Sequence, residues 1–179
     1  MPWFSCPTTG VTLPLRIVRF FALVLGALAL TMESAHVLEL PQKLEYPPEL
    51  YSAVNTTLYR YFAFIGGLYK IAAISLVALL AYLTRHDGRA GRLSFYALLG
   101  MGLSLMTWAL IVAPVNGEIG RALDRAPQTV PSLWTELRMR WETGHVIGFV
   151  LHLAGFAALV LSVLDNGLRT TLKSHPAST

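Results

Sequence analysis

From Leu93 to Val115 the sequence holds no charged residue, and a run of that length has few structures open to it. A helix rises about 1.5 Å per residue, so roughly 20 residues cross the ~30 Å hydrocarbon core of a bilayer. Three further stretches share this length and apolarity. The four spans fall at about 15–32, 61–83, 93–114 and 144–164. They predict an all-α fold, a four-helix transmembrane bundle, in a single integral membrane domain covering residues 1–179. Composition points the same way: 13% of residues are charged, against about 25% in a typical soluble domain. The net charge of +4 would suggest nucleic acid in a soluble chain. Here the bases flank apolar runs, so the expected partner is the lipid bilayer and no nucleic acid.

Arg16 and Arg19, Arg85, Arg89 and Arg92, and Arg169 and Lys173 lie tight against the span ends on one side. This predicts a multi-pass chain with both termini in the cytoplasm and two longer outer loops containing short helices. Pro41 is expected to stop the first helix near Leu40. A second helix is expected to start after Pro47-Pro48 and run on into the second span. The later loop is expected to bend at Pro114-Val-Asn-Gly117 and to break at Pro127 and Pro131, with Ser132 capping the last helix. Gly66-Gly67 and Gly100-x-Gly102 read as sites of close helix packing. Trp3 and Trp108 read as part of an interfacial aromatic belt. Asn55-Thr-Thr57 matches the glycosylation sequon. A signal-peptide reading of the first apolar run, with small residues at Ala27 and Ala29, would leave three spans in the same orientation. The single Cys6 excludes an intrachain disulfide and any multi-cysteine metal site.

The polar residues near the outer span ends carry the chemistry. At ~100° per residue, Trp134, Arg138, Glu142, His145, Phe149 and His152 fall within an arc of about 80° on one helix. Two Glu-x-x-His pairs, Glu33/His36 and Glu142/His145, each place a carboxylate beside an imidazole. Both pairs come at the same depth, with Glu39 near His36, and with Tyr59, Arg60, Tyr61 and Asn116 at that level on the neighbouring spans. The doubling resembles part of the ferritin-like di-metal pattern. It makes Glu33, His36, Glu39, Glu142 and His145 candidate ligands for iron, copper or zinc. The alternative is a charge-compensated polar belt near the water boundary. Lys70 and His152 lie deeper, roughly 10–14 Å below the span ends, and need a partner or a wet cavity. Lys70 is a candidate anchor for an anionic or phenolate oxygen, or a base. His152 is a candidate proton shuttle, or a histidine hydrogen-bonded across the bundle.

Pro114-Val-Asn116, followed by Trp134-x-x-Leu-Arg138-x-Arg140-Trp141-Glu142-x-x-His145 at the head of the fourth span, resembles the anthrone-oxygenase-like integral membrane family. Where members often place a further Arg after the histidine, this chain has Ile147 and Gly148. The resemblance implies a four-helix membrane bundle. It also implies oxidation of a lipophilic aromatic, anthrone- or quinol-like, by molecular oxygen, without flavin, haem or nicotinamide. No motif for those three cofactors occurs in the sequence. Carried over by position, Asn116, Trp134, Arg138, Trp141, Glu142 and His145 form the implied pocket. His145 or Glu142 would act as base, Arg138 or Lys70 would stabilise the anion, and Tyr59, Arg60 and His152 would complete the surroundings. A non-enzymatic metal or small-molecule binding protein, or an accessory subunit of a membrane complex, is the competing expectation. Monomer and homo-oligomer both remain open.

Overall fold

The computed structural model describes residues 13–59 and 61–174, with side chains as far as Asp165. Trp3, Cys6, Arg60 and the tail beyond Ser174 lie outside the described residues. The chain forms α1 (Leu13–Leu44), α2 (Pro48–Thr57), α3 (Phe62–Thr84), α4 (Arg89–Thr107), α5 (Ala113–Arg125) and α6 (Val130–Ser174). A π-helical turn over Trp108–Val112 joins α4 to α5, and a 3-10 turn over Pro127–Thr129 precedes α6. No strand occurs among the described residues.

Four helical stretches are long and apolar enough to cross a bilayer: Leu13–Leu44, Phe62–Thr84, Arg89–Arg125 and Pro127–Asp165. Around the bundle α1 packs on α3, α3 on α4, α4 on α6, and α6 back on α1, an all-α up-and-down arrangement. The outward faces show Phe20, Phe64, Leu68, Ile71, Leu110 and Leu164, each more than half exposed. An apolar surface of that extent belongs in lipid. The interior of the half nearer the α3–α4 turn is a small-residue and aliphatic core of Ala22, Ala73, Val77, Leu80, Ala97, Met101 and Leu159. Its lower edge is pinned by hydroxyls: Thr84 Oγ1 donates to Leu80 O at 2.8 Å, and Ser94 and Ser162 share a hydrogen bond of 2.7 Å. Backbone groups freed from water there still find partners.

The prolines behave differently from their sequence reading. The first helix runs through Pro41 to Leu44 rather than stopping near Leu40. Pro41 sits in the last turn, so its missing N–H costs one bond and the short remainder closes as tight turns, Glu45 N to Gln42 O at 3.2 Å and Tyr46 N to Lys43 O at 3.3 Å. The second helix does not run into the second span, because the backbone turns between Thr57 and Phe62 and sets α2 against α6. Pro114 does not end the helical run. The π turn just before it closes with Ala113 N bonded to Trp108 O, and helical backbone continues to Arg125. The break falls at Ala126, and Pro131 lies inside the first turn of α6. Ser132 is not a cap, since its Oγ donates back to Thr129 O at 2.8 Å.

The glycines divide in the same way. A Cβ on Gly100 would stand 2.8 Å from the Gly155 Cα and 2.9 Å from Leu151 O. This is a close α4–α6 approach of the expected kind. Gly102 and Gly67, however, would meet nothing within 4 Å, so neither is a packing glycine. Gly88 opens α4 at φ +60°, a conformation that glycine adopts without a Cβ penalty.

Candidate functional site

Two buried carboxylates organise the interior near the α2 and α5 end. Glu33 on α1 takes a salt bridge from Lys70 of α3, a hydrogen bond from Ser104 of α4 at 3.0 Å, and His152 Nδ1 of α6 at 3.2 Å. All four spans therefore meet on one carboxylate. The Ser104 hydroxyl shares its single proton between Glu33 and Gly148 O, the latter at 2.7 Å, which ties α4 to α6 at that level. Glu142 on α6 pairs with Lys43 of α1 at 2.9 Å and accepts a hydrogen bond from the Tyr51 hydroxyl of α2 at 2.7 Å. Both members of the Lys43–Glu142 pair are 2% exposed. Lys43 is boxed by rings, with its Nζ 4.6 Å from the Trp141 centroid and 4.8 Å from that of Tyr59. Quadrupoles of these rings supply the attraction that water would otherwise give the ammonium.

Burial, reinforced by the neighbouring Glu142 carboxylate, pushes the Tyr51 phenol above its ordinary range. It remains a donor to Glu142. Because the folded state holds this proton more tightly than the unfolded chain, its contribution is complete below the ordinary phenol value of about 10 and is lost as pH rises beyond it. Tyr51→Phe is expected to cost about 1–3 kcal/mol at neutral pH by leaving a buried acceptor short of one donor. Detergent unfolding followed from pH 7 to 11 should show the wild-type advantage shrinking above pH ~10. An advantage that grows with alkalinity would refute the assignment.

Between the two ion pairs lies a stacked imidazole pair. His36 and His145 have ring centroids 4.1 Å apart and planes 33° apart. Trp141 crosses both at steep angles, 5.0 Å from His36 and 4.2 Å from His145, and Tyr59 and Phe62 close the other side of His36. Trp141 is held in place by its Nε1, which donates to Asn116 Oδ1 of α5 at 2.7 Å. These residues form one wall of a cavity of about 550 Å³, lined also by Glu33, Lys70, Asn55, Trp108 and Trp134. The volume suits a drug-sized ligand. Four buried atoms of residues that line the cavity make no hydrogen bond among the described residues: His36 Nδ1, His145 Nε2, Asn55 Oδ1 and the Trp134 Nε1 donor. Buried polar atoms without partners are costly.

Of the candidate residues, His145, Lys70, Trp134, Trp141, Asn116, Tyr59, Glu33 and His36 line the cavity. Glu142 stands behind it in the Lys43 ion pair. His152 lies beneath it, fully buried, against Glu33. Arg138 faces elsewhere: its Nη1 donates to Tyr46 O at 3.1 Å and its guanidinium stands over the Tyr51 ring at 5.2 Å. It thus fastens the corner between α1 and α2. The sequon residue Asn55 is buried, with its amide bonded to Tyr51 O at 2.8 Å, so it does not offer a glycan acceptor.

The two Glu-x-x-His pairs meet through their histidines only. Glu142 turns toward Lys43 and Glu33 toward Lys70, and Glu39 does not line the cavity. Among the described residues no group of three His, Cys, Asp or Glu side chains gathers around one point. Of the five residues expected to hold iron, copper or zinc, the structure brings only the His36 and His145 imidazoles together.

Lys43, Tyr51 and Ser104 were not singled out from sequence, and Asn55 only as part of a sequon. Lys43 stood seven residues after His36, two turns along the same face, and would have been found had the helix been carried through Pro41. Ser104 and Tyr51 had no local signal. Compared with protein-family models, curated proteins and solved structures, the chain matches none.

Proposed function

We propose that this chain is a membrane oxidoreductase that oxidises a flat, lipid-soluble phenolic molecule, anthrone- or quinol-like, with molecular oxygen. One observation carries the reading: a close His36–His145 pair, each ring with a buried nitrogen that has no hydrogen-bond partner, among the residues that line an aromatic cavity. Both termini lie in the cytoplasm in this reading, which puts the cavity toward the outer face.

The substrate ring stacks in the space bounded by Tyr59, Trp108 and Trp134. His145 Nε2 takes the acidic proton of the anthrone methylene or the quinol hydroxyl, leaving an electron-rich anion. The second imidazole spreads the charge gained by the first. Lys70 and the Trp134 N–H face the anionic oxygen and stabilise it. The anion then gives electrons to oxygen. For an anthrone, the carbanion forms a C–O bond to oxygen, and the histidine returns its proton to the outer oxygen of the peroxide. The second methylene C–H bond then breaks, its electron pair forms the C=O as the O–O bond breaks, and its proton leaves with the departing hydroxide as water. One oxygen atom ends in the ketone and one in water. For a quinol, two electrons and two protons pass to oxygen, which leaves as hydrogen peroxide.

The test is oxygen-dependent quinone formation by purified protein given anthrone, followed by absorbance. His145→Ala is expected to lower the rate at least ~100-fold, the usual scale for loss of a general base, with folding checked by detergent unfolding. Equal rates for wild type and a folded His145→Ala variant would remove the site. A second reading is favoured by the closed pairing of both carboxylates with lysines: the same cavity binds the ligand without turning it over. Stoichiometric binding with no oxygen consumption would select it.

A further inference from the structure

The residues that line the cavity are not all interior ones. Phe64, Leu68 and Ile71 of α3 line it and are 69%, 54% and 57% exposed. Their spacing of four and three residues puts them in one stripe down α3. A residue that both lines a cavity and faces outward marks its mouth. Across that mouth stands α5, which lines the cavity through Asn116, Ile119, Gly120 and Leu123 and has no extensive packing against α3. Gly67 on α3 and Gly120 on α5 both line the cavity, and a Cβ on either would meet nothing within 4 Å. The gap is therefore open on both sides rather than filled by side chains. From Phe64 to Ile71 the stripe descends roughly 10 Å at 1.5 Å per residue, along a helix apolar enough to span a bilayer.

We infer that the cavity opens sideways into the hydrocarbon through the slot between α3 and α5. Its ligand is an amphiphile, with a flat polar aromatic head between His145 and Trp134 and an aliphatic tail lying along the Phe64–Leu68–Ile71 stripe. The stripe offers no polar group to a soluble ligand, whereas an alkyl or isoprenoid tail covers it with apolar contact and stays in lipid. Only the head then needs the donors and acceptors of the wall. The inference rests on the cavity being a ligand site and is independent of whether oxidation follows.

The experiment uses the full chain in lipid nanodiscs with two probes, decyl-benzoquinol and its tail-less methyl analogue, and reads quenching of tryptophan fluorescence. Gly67→Phe and Gly120→Phe each fill the slot from one side. Gly102→Phe, on α4 where a Cβ also meets nothing within 4 Å and away from the cavity, is the control. The expected result is that each slot variant weakens decyl-benzoquinol binding at least tenfold relative to wild type and Gly102→Phe, while tail-less binding changes less than threefold. Should one slot variant fail to fold, the other reports on the same gap from the opposite helix. Equal weakening of both probes would mean that the phenyl group fills the head site, and would overturn the tail path. Unchanged binding of both would overturn it as well. If neither probe quenches wild-type fluorescence, the ligand-site reading falls along with the slot.

Discussion

Replacing Glu33 by Gln is expected to destabilise the protein by about 3–5 kcal/mol, the scale for removing one partner of a buried ion pair. The side chain is 12% exposed and joins Lys70, Ser104 and His152, one from each of the other three spans. Gln keeps the shape and one acceptor oxygen but leaves the Lys70 ammonium without its counter-charge in a low-dielectric interior. Lys70→Met alone should be similarly costly, because it strands the carboxylate. The double variant Glu33→Gln/Lys70→Met should recover most of the loss, since apolar or neutral replacements of a whole buried pair are often nearly neutral. Unfolding midpoints in mixed detergent for the four proteins form a double-mutant cycle. Additive losses in that cycle would show that the two groups act separately, and the four-span junction would not be an ion pair in energetic terms.

Gly155→Leu is expected to cost about 3 kcal/mol or more and to reduce folded yield, at the upper end of overpacking penalties. A Cβ at this position would lie 2.8 Å from Met101 N and 3.0 Å from Ala97 O. Both are backbone atoms of α4, which cannot move aside as a flexible side chain would. Relief requires α4 and α6 to separate. That separation would pull Ser104 from Gly148 O and loosen the wall bearing His145. Gly102 lies on the partner helix α4, and a Cβ there meets nothing within 4 Å, so the effect of Gly102→Leu should be within about 0.5 kcal/mol, as for an ordinary surface change. Similar losses for the two variants would place the cost outside the α4–α6 contact, since Gly→Leu by itself improves helix propensity.

The spans were legible because the signal is local: a membrane-length run without charges is visible in the residues that form it. The Glu-x-x-His pairs were legible for the same reason, since helical period alone sets a carboxylate beside an imidazole. Proline was the weak point. Pro41 was read as the end of a helix, but a proline in a last turn removes only one bond. That misreading hid Lys43, which becomes a two-turn neighbour of His36 only if the helix continues. The glycine pairs were ambiguous for a related reason: Gly100 packs against Gly155, whereas Gly67 opens onto the cavity, and no local pattern separates the two.

By itself the sequence determined four membrane-length helices and two acid–imidazole pairs at one depth, because length, apolarity and helical period act within each segment. Tertiary structure alone decided which groups meet. Lys70 is 37 residues from Glu33, and Tyr51 is 91 from Glu142. A buried charge accepts whatever counter-charge the packing brings within reach. The packing brought a lysine to each carboxylate, turned the two acids away from each other, and left the histidines stacked between them on the wall of an open cavity.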